Sequence, residues 1–246
     1  MECLICHNEI KGKYYLDFWK NAVCAEHYER RETVFCSSCS SIMAKDRRNL
    51  LADGRWLCPI CQAQVVSQPD QVSKIKKIVL NRLIDEGVCF QDKKLESTPI
   101  EIVDINRLAQ LRNQPPSITQ KGLTITRSVS TLGGMLLGNS PKMSHHIYIL
   151  ENLIKIEFVG TLAHELMHVW QNENQIKLSS PLCEGLCNLG SWLAFSTIKS
   201  SKTPYFLKTI KENTDPVYGD GFRYVYSKYE TEGWEGVLQL ARSGKL

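Results

Sequence analysis

The sequence predicts an α+β chain in two parts, a small cysteine-rich unit followed by a larger domain with a short sheet and several helices. Three observations predict it. Seven of the ten cysteines fall within the first 61 residues, in a repeated pattern of pairs. Three runs of alternating polarity, at 99–105, 122–129 and 145–150, read as strands. They precede a long stretch of helical periodicity that carries His-Glu-Leu-Met-His at 164–168.

The first unit, residues 1–65, holds Cys3-x2-Cys6-x17-Cys24-x2-His27 and then Cys36-x2-Cys39-x18-Cys58-x2-Cys61. Each half has two knuckles 17 or 18 residues apart, the spacing of a four-ligand structural zinc site. The two halves form an internal repeat. The start, Met1-Glu-Cys-Leu-Ile-Cys, has no secretory pattern, so zinc is favoured over disulfides. Sequential pairing of the knuckles gives two consecutive modules, whereas interleaved pairing gives a cross-brace. The repeated spacing favours the sequential form. With so little apolar mass nearby, zinc would supply most of the folding energy of these modules. Trp19 and Trp56, each just ahead of a second knuckle, are expected to form their small cores. His7 reads as an exposed neighbour of Cys6, and Cys89, Cys183 and Cys187 read as small core residues.

Residues 62–69 are a polar connector. Asp70 is placed to cap a helix running to Asp85, with Val72, Ile75, Val79, Leu80 and Leu83 as its apolar stripe and Gly87 as its stop. Its lysines, Lys74, Lys76 and Lys77, read as a solvated face. A connecting helix at 66–88 and a second domain at 89–246 follow from this. Inside that domain a strand at 99–105 leads to a short helix at 106–112, ended by Pro115-Pro116. A strand at 122–129, a turn at Gly133-Gly134 and a strand at 145–150 come next, the last a candidate edge of the sheet. His145 and His146 read as polar-face residues of that strand rather than ligands.

The next helix is marked by Ile154, Phe158, Leu162, Leu166, Val169 and Trp170 at three- and four-residue spacings. On it His164 and His168 lie one turn apart on one face and can point at one metal ion. Glu165 is rotated by about 100° from His164 and is placed to act as base on a water at that ion. Ala163 lets another element approach closely. After a polar loop at 171–180, a second helix at 181–195 carries Glu184 at the head of a stripe of Leu182, Leu186, Leu189 and Leu193. Glu184 completes a His, His, Glu set and leaves the fourth position for water or substrate. A small sheet ahead of such a helix is the layout of zincin peptidases, in which an extended peptide pairs with an edge strand. A glutamate as third ligand makes the type a gluzincin.

The formal net charge is +4. That is too mild to imply a nucleic-acid partner, and zinc on thiolate ligands leaves it mild. No uncharged apolar run of roughly 18 residues is present, so no membrane span is expected. A reducing, cytoplasmic setting is the expectation.

These features together resemble the plant organ-size regulators of the "DA-one" family, which join LIM-type zinc modules to a C-terminal zinc peptidase domain. The matching segments are Cys24-Ala-Glu-His27, Cys36-Ser-Ser-Cys39, Asp53-Gly-Arg-Trp-Leu-Cys58, Leu162-Ala-His-Glu-Leu-Met-His168, Glu184-Gly-Leu-Cys187 and Tyr218-Gly-Asp-Gly-Phe222. They run in family order along nearly the whole chain. The resemblance implies an endopeptidase acting on protein or peptide substrates, with one catalytic and two structural zinc ions. It also implies that the LIM-like unit can bind a protein partner. Tyr218 is the candidate oxyanion donor, with Asp220 and Arg223 as supports. Plant members carry ubiquitin-interacting motifs and a further zinc module that do not occur in these 246 residues. The expectation is therefore a compact, bacterial relative without ubiquitin-linked regulation. The first module ends Cys-x2-His rather than His-x2-Cys, and eight residues rather than two separate the modules. Two other functions fit part of this pattern: an adaptor whose peptidase domain is latent or inactive, and, with interleaved knuckles, a RING-like ubiquitin ligase module.

Overall fold

A computed structural model of the chain describes residues 1–90, 95, 98–129 and 142–246. The turn expected at Gly133-Gly134 lies outside them. The chain divides into two compact units, Met1–Val66 with Asn152–Glu157, and Ser67–Glu151 with Phe158–Leu246. Among the described residues no helix is long and apolar enough to cross a membrane.

The first unit repeats one small motif twice. Strands β1 (Tyr14–Leu16) and β2 (Ala22–Cys24) form an antiparallel hairpin followed by helix α1 (Ala25–Glu29). Strands β3 (Thr33–Phe35) and β4 (Ile42–Ala44) form the second hairpin, and α2 (Pro59–Gln62) closes the repeat. The first knuckle of each half turns in the same way. Cys3 N–H donates to the Asn8 carbonyl and His7 N–H to Cys3, just as Cys36 N–H donates to Ser41 and Ser40 N–H to Cys36. His7 and Ser40 accordingly share the left-handed backbone, at φ 57° and 54°. The tryptophans do not form the cores. Trp19 and Trp56 are only half-buried, and the buried cluster is Cys3, Val23 and Ile42. Ile42 belongs to the second half, so the two halves share one core. Asp17 fastens them: its carboxylate accepts from the N–H groups of Trp19, Asn21 and Ile42, each at 2.8 Å. Trp19 adds a bond from its indole N–H to the Cys39 carbonyl, at 2.7 Å.

In the second unit α3 spans Pro69–Asp85. Its cap is Gln68 rather than the expected Asp70, because Pro69 starts the helix and the Gln71 side chain accepts from the Gln68 N–H. Lys76 departs from the expected solvated face. It is buried, and its ammonium donates to the Thr98 carbonyl. Strand β5 (Ile100–Val103) leads into α4 (Ile105–Arg112), which Asp104 caps by accepting from the N–H groups of Asn106 and Arg107. Strands β6 (Gly122–Val129) and β7 (Lys142–Leu150) complete a three-stranded sheet in the order β5-β7-β6. The strand expected at an edge, β7, is therefore central, parallel to β5 and antiparallel to β6. The edge is β6.

Four helices follow: α5 (Lys155–Glu173), α6 (Ser180–Ser196), α7 (Thr203–Lys211) and α8 (Gly219–Arg242). Phe158, Leu162, Ala163, Leu166, Met167, Val169 and Trp170 of α5 are all fully buried. The helix is thus enclosed on most sides rather than along one stripe. One face of the sheet lies on α5, where Thr124 and Thr126 touch Glu165 and Asn172. The other face, with Val103 and Leu150, packs on Leu108 of α4. Helix α6 lies along α8 at backbone contact. A Cβ on Gly185 would stand 2.3 Å from the Gly221 carbonyl oxygen, and one on Gly221 would stand 2.0 Å from that of Pro181. Only glycine permits this approach.

Candidate metal centres and active site

Among the described residues three groups of side chains could hold a metal ion. Cys3, Cys6, Cys24 and His27 form one, and Cys36, Cys39, Cys58 and Cys61 another, each with its donor atoms within 4.8 Å of one another. The knuckles pair sequentially, which removes the cross-brace on which a RING-like reading depends. Backbone N–H groups aim at the sulfurs in matching places: Cys24 donates to Cys3 Sγ at 3.4 Å, and Cys58 to Cys36 Sγ at 3.3 Å. Burial pushes the Cys3 thiol up, but N–H donation from Cys24, Cys6 and Ile5 holds it lower, at about 6. A thiol held down in this way is a ready metal ligand. His27 Nδ1 is 2.6 Å from the Glu32 carboxylate, which raises the pKa of the ring and fixes its orientation. Its Nε2 is left for an ion.

The third group is His164 and His168 of α5 with Cys187 of α6, and Glu184 of α6 stands beside it. His164 Nε2 and His168 Nε2 both face Glu184 Oε2, at 3.1 and 3.6 Å. The two rings are 4.9 Å apart. Cys187 also brings its thiol within 4.8 Å of a donor atom on each histidine. It approaches His168 at Nδ1, 3.3 Å away, on the opposite side of the ring from Glu184. An ion between the two Nε2 atoms would meet Glu184, whereas an ion on Cys187 would need Nδ1 of His168. The outer partners favour the first arrangement. His164 Nδ1 faces Asn188 Oδ1 at 3.0 Å, and His168 Nδ1 faces Gln171 Oε1 at 3.1 Å. Each ring can donate through Nδ1 and keep the Nε2 lone pair for a cation.

Charge at the site points the same way. Burial alone would lower the His168 pKa, but the Cys183 side chain and the carboxylates of Glu184 and Glu165 raise it to about 11. Glu184, in turn, is held well below the carboxylate range by the two histidines despite its burial. Two imidazoles with a carboxylate are a donor set suited to zinc.

Glu165 is buried at 4% exposure, against Gly122 and Thr124 at the start of β6. The Thr124 hydroxyl lies 2.7 Å from Glu165 Oε2 and 3.0 Å from the Glu165 carbonyl oxygen. The carboxylate is the nearer and charged acceptor, so the hydroxyl donates there. Gly122 is required beside it, since a Cβ would stand 2.3 Å from Glu165 Oε1. Tyr218, just ahead of α8, is drawn in by the Gly185–Gly221 approach. Its carbonyl accepts from Asn188 Nδ2 at 2.9 Å. Burial and the Glu184 carboxylate raise the pKa of its phenol, while the nearby Gln120 amide and Arg112 guanidinium work against that.

Other candidates lie elsewhere. Asp220 pairs with Arg223, which also donates to the carbonyls of Lys211 and Asn213. They fasten the start of α8 to the end of α7 rather than support the centre. His145 is buried rather than on a polar face. It meets the Thr126 hydroxyl at 2.9 Å and Glu173 at 3.5 Å. His146 stacks on Tyr148 and faces Glu101. Asn188, Gln171, Thr124 and Arg112 escaped the sequence reading. Asn188 follows Glu184 by four residues and Gln171 follows His168 by three, so helical spacing could have found both.

No protein-family profile matches the chain, and no solved structure matches it. Curated relatives do. Protein DA1-related 7 of Arabidopsis thaliana is 26% identical over an alignment covering 96% of this chain and 52% of that protein. Protein DA1 of the same plant is 27% identical, covering 84% of this chain and 48% of its own length. LIM domain-containing protein HDR3 of Oryza sativa subsp. japonica is 20% identical, covering 92% and 56%. The chain spans about half the length of the curated relatives it matches. Over most of its length, then, this chain is similar to plant DA1 and DA1-related proteins.

Proposed function

We propose that this chain is a DA1-like, zinc-dependent peptidase of the gluzincin type, joined to a LIM-like double zinc module. The observation that carries the reading is the convergence of His164 Nε2, His168 Nε2 and Glu184 Oε2 beside a buried glutamate held by an edge strand. His164, His168 and Glu184 would hold the ion, and zinc bound there supplies Lewis-acid activation of water and of the scissile carbonyl. Glu165 accepts the proton of the attacking water at its carboxylate and passes it to the leaving amine. Tyr218 donates a hydrogen bond from its phenol O–H to the developing oxyanion.

Strand β6 is the substrate-binding edge in this reading. Leu150 N–H donates to the Lys121 carbonyl at 2.9 Å, so Lys121 and alternate residues after it face β7. Thr124 and Thr126 therefore turn their backbone groups toward the outer edge, where an extended peptide can pair, while the Gly122 carbonyl there already accepts from Arg112. Glu165→Gln tests the mechanism. The variant should keep its metal and lose cleavage in a proteome-wide profile of new N-termini; undiminished cleavage would remove Glu165 as base.

A second reading concerns the N-terminal unit alone. Tyr14, Tyr15, Leu16 and Phe18 are all exposed along β1 and just after it. Such a surface favours use of the LIM-like unit to bind a protein partner. An adaptor of this kind would retain its partners in His164→Ala, a variant that abolishes cleavage under the peptidase reading.

A further inference from the structure

Arg112 is the last residue of α4 and is half-buried. An arginine at a helix C-terminus ordinarily serves the terminal carbonyls of its own helix. This one does not. Its Nη1 donates to the Gly122 carbonyl at 3.3 Å and its Nε to the Gln114 side-chain oxygen at 3.3 Å. Among the described residues no carboxylate pairs with it. Its acceptors, the Tyr218 phenol among them, are all neutral, and a partly buried guanidinium of that kind keeps N–H capacity for an anion.

Its position gives that capacity a use. Gly122 begins the edge strand, and the same glycine lies against the Glu165 carboxylate. Arg112 thus stands one peptide carbonyl away from the proposed base. On its other side is the Tyr218 phenol, which the charges of both Arg112 and Glu184 influence. A peptide laid antiparallel on β6, the better-bonded mode of pairing, runs opposite to the strand. The part of it that meets the Gly122 end is therefore its C-terminal part. A planar guanidinium waiting there matches the two oxygens of a carboxylate.

We propose that Arg112 forms a carboxylate-binding subsite that reads the substrate on the C-terminal side of the scissile bond. The carboxylate is either the peptide's own terminal group or an Asp or Glu side chain. The subsite rests on the peptidase reading for its role in cleavage, but its binding can be measured separately.

Fluorescence anisotropy on the full-length, zinc-loaded Glu165→Gln protein provides that measurement. The probes are three N-terminally labelled random hexapeptide pools: one with a free C-terminal carboxylate, one amidated, and one amidated with a fixed glutamate at its fifth position. At least one carboxylate pool should bind about tenfold more tightly than the plain amide, the scale of one charge-assisted pair. Which pool prevails identifies the source of the group. Adding Arg112→Gln, or Arg112→Met in a second background, should remove the preference, and Arg112→Lys should keep part of it. Equal binding of all three pools, or a preference that survives both neutral substitutions, overturns the subsite. If the wild type cleaves none of the pools yet shows an Arg112-dependent preference, the subsite stands and the peptidase reading fails.

Discussion

A carboxylate proposed as a base has to be held in one place, and at Glu165 the Thr124 hydroxyl holds it. Thr124→Val keeps the shape and removes the donor. It should lower kcat about tenfold with little change in KM, whereas Thr124→Ser should retain most of the rate. Steady-state kinetics on one peptide separates this from a packing effect, which would raise KM or spare neither variant. Asn188 acts one step further out, on His164. Asn188→Ala should weaken metal binding at this centre about ten- to a hundredfold in a chelator competition; unchanged affinity would show that the ring needs no such support. His164, Glu165 and His168 were legible because one turn of helix fixes their relations. Glu184 was legible as the head of an apolar stripe. Thr124 and Arg112 were not, since the first reaches Glu165 across the fold and the second depends on where β6 begins.

At the scale of elements, the proposed centre depends on α6 and α8 meeting at backbone distance. Gly185→Ala places a methyl against the Gly221 carbonyl, and rigid backbone cannot yield. Thermal denaturation should show a loss of about 2 kcal/mol or more. Gly190→Ala meets the flexible Met167 side chain instead, at 2.6 Å, and should cost less. Equal melting temperatures for the two variants would contradict this account of the packing. Alternation of polarity located β6 and β7, yet it could not give their order. Strand order is set by pairing partners distant in sequence, and β7 carries enough buried residues on both faces to take the centre. Helical periodicity placed α5 but not the extent of its enclosure, because the neighbours that bury its remaining sides come from the rest of the chain.

Each unit of the molecule relies on a different source of stability. The N-terminal unit has a buried cluster of three residues and eight clustered metal-type side chains. The second unit has a continuous apolar core around α5. Chelation should therefore abolish hydrogen-exchange protection in residues 1–66 while the core of α5 keeps its own. Simultaneous loss in both units would contradict that division. The repeat and the side chains it clusters were readable from spacing alone, and the sharing of one core through Ile42 and Asp17 was not, since neither residue belongs to a knuckle. The central claim is that α5 and α6 hold a third ion. Elemental analysis of the purified chain tests it most directly. By ligand count the wild type should carry about three zinc ions, and His164→Ala about two with the N-terminal unit still folded. Two ions in both proteins would contradict the assignment of His164, His168 and Glu184 as a metal centre.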